Sequence, residues 1–161
     1  MSAAGRAQLI EKHEQAIGGG AELAAYQDPG GKWTIGYGNT GKEAKPGNTI
    51  TQAKADQLLQ QDLASREQEV RDHVHVPLTQ GQFDALTSFV FNEGAGKFET
   101  STLLKKLNAG DYAGAQKEFS KWTLGWDAKQ QKMVVLDGLK NRRADEAASF
   151  GNQGPQAAPG K

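Results

Sequence analysis

Ala25-Tyr26-Gln27-Asp28-Pro29-Gly30-Gly31-Lys32-Trp33-Thr34-Ile35-Gly36-Tyr37-Gly38-Asn39 is the stretch whose reading decides the fold. Asp28-Pro29-Gly30-Gly31 is a tight turn by its chemistry. Asp opens it, Pro presets φ, and Gly permits φ > 0. Short strands flank it, with Trp33, Ile35 and Tyr37 alternating against Thr34, Gly36 and Gly38. The stretch therefore predicts a β-hairpin with a carboxylate at its turn and a threonine on its returning strand. Thr34 is expected on the face of Gly36 and Gly38, opposite Trp33 and Ile35.

Outward from the hairpin the pattern turns helical. Residues 3–17 carry Leu9, Ile10, His13, Ala16 and Ile17 on one face, and Gly18-Gly19-Gly20 ends them. After a polar loop from Gly41 to Asn48, Thr51 is an N-cap for a long helix to about Val74. Its stripe of Ala55, Leu58, Leu59, Leu63 and Val70 suits a half-exposed helix joining two lobes. Past Pro77, Thr79 and Gln82 form a capping box before Phe83, Leu86, Phe89, Val90 and Phe91, the most apolar segment. Shorter helices are expected near 101–108, near 111–122 capped by Asp111, and over about 137–149. Trp122 and Trp126 are read as core. Residues 151–161, rich in Gly, Pro, Gln and Ala, read as a disordered tail. The predicted fold is α+β and mainly helical, as one domain over 1–150. It divides into a hairpin lobe (about 18–50), a connecting helix (about 51–75) and a helical lobe (about 77–150) that takes in the N-terminal helix.

Composition excludes several classes. A chain of 161 residues makes one domain, or two lobes sharing a core. It has no cysteine, so neither disulfides nor thiol chemistry enters. The formal net charge is +0, which gives no electrostatic footprint for nucleic acid. No apolar run is long enough to span a membrane, and the first residues show no signal-peptide core. His73 and His75 lack a nearby third ligand for a metal, and Gly36-x-Gly38 lacks the strand–helix setting of a dinucleotide fold.

The hairpin resembles the active-site hairpin of the phage-type lysozymes, glycoside hydrolase family 24. Other segments are similar too. Leu9-Ile10-Glu11-Lys12-His13-Glu14 matches the family's first helix. Pro77-Leu78 through Phe83-Asp84-Ala85-Leu86, with Phe91-Asn92-Glu93-Gly94, matches its second-lobe helix and the turn after it. Ser101-Thr102-Leu103-Leu104, Leu107-Asn108, Gly138-Leu139 and Arg142-Arg143 match later segments. The resemblance covers about residues 5–150 and implies a lysozyme-like fold. The implied activity is a muramidase cutting the β-1,4 bond between N-acetylmuramic acid and N-acetylglucosamine in peptidoglycan, with net inversion and no cofactor or metal.

Such hydrolysis needs one protonated carboxyl at the leaving oxygen and one ionised carboxylate for water or the transition-state charge. The resemblance assigns Glu14 as acid, Asp28 as base or electrostatic partner, and Thr34 to hold the attacking water. Glu14 sits on the row Ile10–Glu14–Ile17, bordering the apolar stripe, where partial desolvation favours its protonated form. Asp28, at a turn among backbone amides, is expected to stay ionised. Glu11 and Glu22 are the rivals of Glu14; Glu11 lies on a more polar side and Glu22 close to the hairpin. In the family the acid precedes the aspartate by nine positions, against fourteen between Glu14 and Asp28, so about five residues around Ala16 to Ala21 are extra. A longer flexible loop costs about a kcal/mol or less, and Glu22 remains an alternative acid.

By the same resemblance Phe91, Asn92 and Ser101 contact sugar, and Arg142 or Arg143 pairs with Glu14. Asn39 stands where the family has histidine and is expected to bond Asp62. The expected partner is peptidoglycan, with no stable membrane insertion, and the chain is expected to be monomeric. Without an export signal it would reside in the host cytoplasm until a holin-like protein released it. The alternative reading is a lysozyme-fold protein that binds peptidoglycan without cutting it.

Overall fold

The computed structural model describes residues 1–15, 21–28 and 30–151. A continuous helical segment, α1, comprises Ala3–Gly5, a π-helical stretch Arg6–Glu11, and Lys12–Gln15. Ser2 caps it, accepting from Gly5 N. Strands β1 (Glu22–Gln27) and β2 (Trp33–Gly36) then form the antiparallel hairpin, with Tyr26 opposite Thr34 and Gln27 opposite Trp33. Gly36 has φ of 67° and ends β2. The chain turns there, and Asn39 bridges back to Ile35. The strand expected to run on through Tyr37 therefore stops short. Thr34 and Ile35 are both buried, so the hairpin is covered on two faces.

The long helix α2 (Gln52–His73) begins at the Thr51 cap, as its sequence predicts. Helix α3 (Gln80–Glu93) opens on the Thr79–Gln82 capping box, with both reciprocal bonds formed. Every residue from Gln82 to Val90 is buried, so α3 is the axle of the helical lobe. Around it lie α4 (Ala95–Glu99), α5 (Thr102–Asn108), α6 (Tyr112–Glu118) with a 3-10 turn Phe119–Lys121, and α7 (Asp137–Gly151). Phe89 is the centre of the packing. Its ring meets Phe119 edge-on at 5.7 Å and Trp122 at 5.3 Å. A second, smaller cluster joins the lobes. Ile10 of α1 packs with Leu59 and Leu63 of α2, and Tyr37 and Phe91 close over them.

The structure differs from expectation in several places. Strands β3 (Leu124–Asp127) and β4 (Lys132–Val135) form a second hairpin that sequence reading passed over. Its turn has no glycine; Gln131 takes the left-handed φ of 52°. Trp126, expected in the core, is 46% exposed on this hairpin, while Trp122 packs partly buried against the main core. Gly151, assigned to the tail, is the last residue of α7. The expectations for Ala16, Ile17, Gly18-Gly19-Gly20, Pro29 and residues 152–161 lie outside the described residues.

Gly5 marks a close contact of α1 with α3. A Cβ there would lie 2.2 Å from Asp84 Oδ2 and 2.9 Å from Asp84 Cβ. Asp84 is held by the Ser2 hydroxyl, by Ser2 N at 2.9 Å and by Gln80 Nε2 at 2.9 Å. In an open helix Gly→Ala is stabilising by about 1 kcal/mol. Here Gly5→Ala is expected to reverse that sign and destabilise by about 1–3 kcal/mol, read from urea unfolding.

Candidate active site

The first hairpin sets the site. Asp28 closes its turn through three bonds: Asp28 N donates to Lys32 O at 2.9 Å, Gly31 N to Asp28 O at 2.8 Å, and Lys32 N to Asp28 Oδ1 at 2.8 Å. The carboxylate is thus oriented by the backbone it folds. Thr34 is 4% exposed, and its hydroxyl donates to Lys32 O at 3.1 Å. Lys32 O therefore accepts from both Asp28 N and Thr34 Oγ1, while Lys32 N donates to the Asp28 carboxylate.

Beyond β2 the loop is pinned to α2. Asn39 Nδ2 donates to Asp62 Oδ2 at 2.9 Å, and Asn39 Oδ1 accepts from Gly41 N at 2.9 Å. Between this loop and the end of α3 lies a pocket of about 250 Å³, lined by Gly38, Asn39, Thr40, Gly41, Asp62, Arg66 and Phe91. An aromatic wall beside amides and charges suits a sugar ring, with its flat apolar face and ring of hydroxyls. Arg66 was not singled out from sequence, although it follows Asp62 by one helical turn and so shares its face.

Glu14 lies in the last stretch of α1, one turn beyond the fully buried Ile10; its side chain is outside the described residues. The neighbouring residues fix that stretch to α7. Lys12 Nζ and His13 Nε2 reach Asp145 Oδ2 at 2.7 and 2.8 Å. Of the rival acids, Glu11 is paired with Arg6 Nε at 3.0 Å, and Glu22 is exposed at the start of β1.

The two arginines sit in a buried network. Arg143 donates to Asn92 Oδ1 at 2.8 Å and to Glu93 Oε2 at 3.0 Å, and its Nε lies 2.8 Å from Glu146 Oε1. Arg142 Nε stands 3.5 Å from Glu146 Oε2, and its guanidinium lies 5.8 Å from the centre of the Phe91 ring. The Ser88 hydroxyl bonds Glu146 Oε2 at 2.5 Å and lies 3.3 Å from Leu9 O of α1. Burial raises the Glu146 pKa, against the pull of both arginines and Ser88. Burial likewise lowers that of Arg143, which Glu146 and Glu93 counter. Glu146 and Ser88 were missed from sequence; the signal was Glu146 standing three and four residues after the arginine pair.

Ser101 lies at the start of α5. It is 4% exposed, and its hydroxyl donates to Phe98 O at 2.7 Å while accepting from Leu104 N at 3.1 Å. It caps α5 through the second of these bonds. Asn92 is exposed at the end of α3, and Phe91 is half-buried beside the pocket. Among the described residues, no group of three or more His, Cys, Asp and Glu is arranged to hold a metal ion.

A hairpin lobe, a long connecting helix and a helical lobe, with a polar cleft pocket between hairpin and helices, define the lysozyme class of glycoside hydrolases. Residues 17–146 match the profile of the phage lysozyme family. The chain is 46% identical over 143 residues to an endolysin of Acyrthosiphon pisum secondary endosymbiont phage 1, covering 88% of this chain and 92% of that protein. Among solved structures it is similar to the muramidase domain of SpmX from Asticaccaulis excentricus, at 39% identity and a TM-score of 0.80 over 94% of this chain and 97% of the other. It is also similar to an endolysin from Escherichia coli O157:H7 phage FAHEc1, at 36% identity and a TM-score of 0.78 over 94% and 92%. The chain belongs to the phage lysozyme family. It is a muramidase that degrades peptidoglycan.

The anchor of α1 on α7 has a pH signature. Burial lowers the His13 pKa despite its bond to Asp145, so the folded state takes up this proton later than the unfolded chain. Stability is then full above the ordinary histidine value of about 6.5 and falls as pH drops from there through the lowered value. Asp145 is pushed up by burial but held lower overall by Lys12 and His13. Its contribution is present above its unfolded value and is lost further down, as pH falls through its folded value. Urea midpoints measured against pH are expected to show the upper step in the unaltered protein and to lose that step in His13→Gln.

Proposed function

We propose that the chain hydrolyses the β-1,4 bond between N-acetylmuramic acid and N-acetylglucosamine, with Glu14 as general acid, Asp28 as base or electrostatic partner, and Thr34 holding the attacking water. Family membership supports the bond. The observation that carries the division of labour is the Asp28 turn. Its Oδ1 accepts the Lys32 amide, which fixes the orientation of the carboxylate. Its Oδ2 is the oxygen we assign to water. Thr34 Oγ1 gives its proton to Lys32 O and so offers water an acceptor. Glu14 follows Leu9 and Ile10, which are 1% and 0% exposed, on a helix held against the helical lobe. The acid's part is to give a proton to the leaving oxygen, and family resemblance assigns that part to Glu14.

Substrate contact falls to Phe91 and Asn92. Phe91 offers its ring to a sugar face. Arg143 takes the Asn92 carbonyl oxygen, so the amide Nδ2 is the donor left to meet a sugar oxygen. The Asn39–Asp62 bond shapes the pocket wall and takes no part in proton transfer.

The test is digestion of purified peptidoglycan embedded in a gel. Glu14→Gln and Asp28→Asn are each expected to cut activity by about a thousandfold with urea midpoints near that of the unaltered protein. Glu22→Gln is expected to stay active. An active Glu14→Gln beside an inactive Glu22→Gln would move the acid to Glu22.

A further inference from the structure

Asp62 and Arg66 stand one turn apart on α2, and both line the cavity of about 250 Å³ beside Phe91. On an open helix a carboxylate and a guanidinium at i and i+4 bond to each other. Here each is taken by another partner. Asp62 Oδ2 accepts from Asn39 Nδ2 at 2.9 Å. Arg66 Nη1 donates to both oxygens of Glu69, at 3.0 and 3.1 Å. Among the described residues, Asp62 Oδ1 and the Arg66 atoms Nε and Nη2 have no further partner. One acceptor and a set of donors therefore belong to the same cavity wall, a turn apart, each side chain steadied by a neighbour.

Charge and wall say what fits. Glu69 neutralises Arg66, and Asp62 leaves the cavity with a negative charge. An anion is therefore disfavoured. The matching group is neutral, with one N–H for the carboxylate and one carbonyl oxygen for the guanidinium. A guanidinium donates in a fixed plane, which suits a planar amide. The N–H and C=O of a trans amide point opposite ways, so it spans two groups that stand apart. Phe91 adds an apolar surface for a small group on that amide. In the substrate of a muramidase the 2-acetamido group has all three parts: N–H, carbonyl oxygen and methyl. The stem peptides also contain amides, but their ends carry carboxylates, which Asp62 repels.

We propose that Arg66 and Asp62 read an acetamido group of the glycan, Arg66 donating to its carbonyl oxygen, Asp62 Oδ1 accepting its N–H and Phe91 meeting its methyl. This assignment rests on the muramidase reading above. It gives α2 a part in choosing the substrate, separate from the residues that move protons. The Asn39–Asp62 bond then does more than shape the wall: it keeps the carboxylate from closing on Arg66.

The experiment measures release of reducing ends, at limiting substrate, from insoluble peptidoglycan that is fully acetylated, deacetylated enzymatically at glucosamine, or deacetylated enzymatically at muramic acid. The unaltered chain is expected to work about tenfold more slowly on one deacetylated preparation, and that one names the sugar read. Arg66→Ala and, separately, Asp62→Asn are each expected to slow digestion of the acetylated preparation by about tenfold and to narrow its advantage to about twofold or less. Asp62→Asn keeps an oxygen for Asn39 and puts an amide N–H where the acceptor stood. Arg66→Ala leaves the Asn39–Asp62 bond untouched, so it decides the matter if Asp62→Asn fails to fold. The proposal is overturned if the unaltered chain treats all preparations alike, or if the variants keep its full preference. It is overturned if they slow every preparation by one factor, which is what a merely structural role would do. It is overturned too if their loss vanishes on acetylated strands stripped of stem peptides, which would make the contact one to peptide. Co-sedimentation in the cold with the same preparations makes the comparison without cleavage. Acetyl-dependent binding with no release of reducing ends would count against the muramidase reading and for this contact.

Discussion

The buried contact between Arg143 and Glu146 is the constraint on which the rest of the structure depends. Arg143 is 1% exposed and Glu146 0%. Ions so far from water are costly, and a buried pair is not a source of stability by itself. What it supplies is placement. Glu146 reaches Ser88 in α3, and Ser88 stands beside the Leu9 carbonyl in α1. Arg143 reaches Asn92 and Glu93 at the far end of α3. One pair on α7 therefore fixes the helix that carries Glu14 and the end of α3 that carries Asn92. Removing either partner would strand a buried charge, which typically costs about 3–5 kcal/mol.

The hairpin lobe is held by other means. It has few apolar groups, and its order comes from a turn that bonds itself and from two anchors on α2. One anchor is apolar: Ile35 is fully buried, and a Cβ at Gly36 would lie 3.6 Å from Ala55 Cβ. The other is the Asn39–Asp62 bond. A neutral amide in that bond does not titrate, so the pocket wall keeps its shape through the pH range in which a histidine would change charge. Between the lobes, Ile10, Leu59 and Leu63 form a small apolar joint with Phe91 at its edge. Phe91 therefore serves two settings at once, as packing for the joint and as wall for the pocket.

Much of this was legible in the sequence because it rests on local rules. The Asp28 turn, the Thr51 and Asp111 caps and the Thr79–Gln82 box each follow from a residue and its near neighbours. The Asn39–Asp62 contact was legible only through family resemblance. Part of what escaped has no local signature. The β3–β4 turn uses Gln131 in a left-handed conformation, where a glycine or asparagine would have announced it. The Ser101 cap was not read from sequence, although a serine before Thr102 is the ordinary signal for one. In the Ser88–Glu146–Arg143 network the helical spacing of Arg143 and Glu146 is a local signal, but the meeting with Ser88, 58 residues away, has none.

We propose that this fold directs water onto the glycosidic carbon of the muramic acid residue. The most direct measurement is mass spectrometry of the fragments released from purified peptidoglycan, read at their new ends. The account predicts fragments with a free reducing N-acetylmuramic acid, carrying one oxygen from solvent when the digestion is run in heavy-oxygen water. Fragments ending in reducing N-acetylglucosamine, or in a 1,6-anhydro sugar without solvent oxygen, would contradict it.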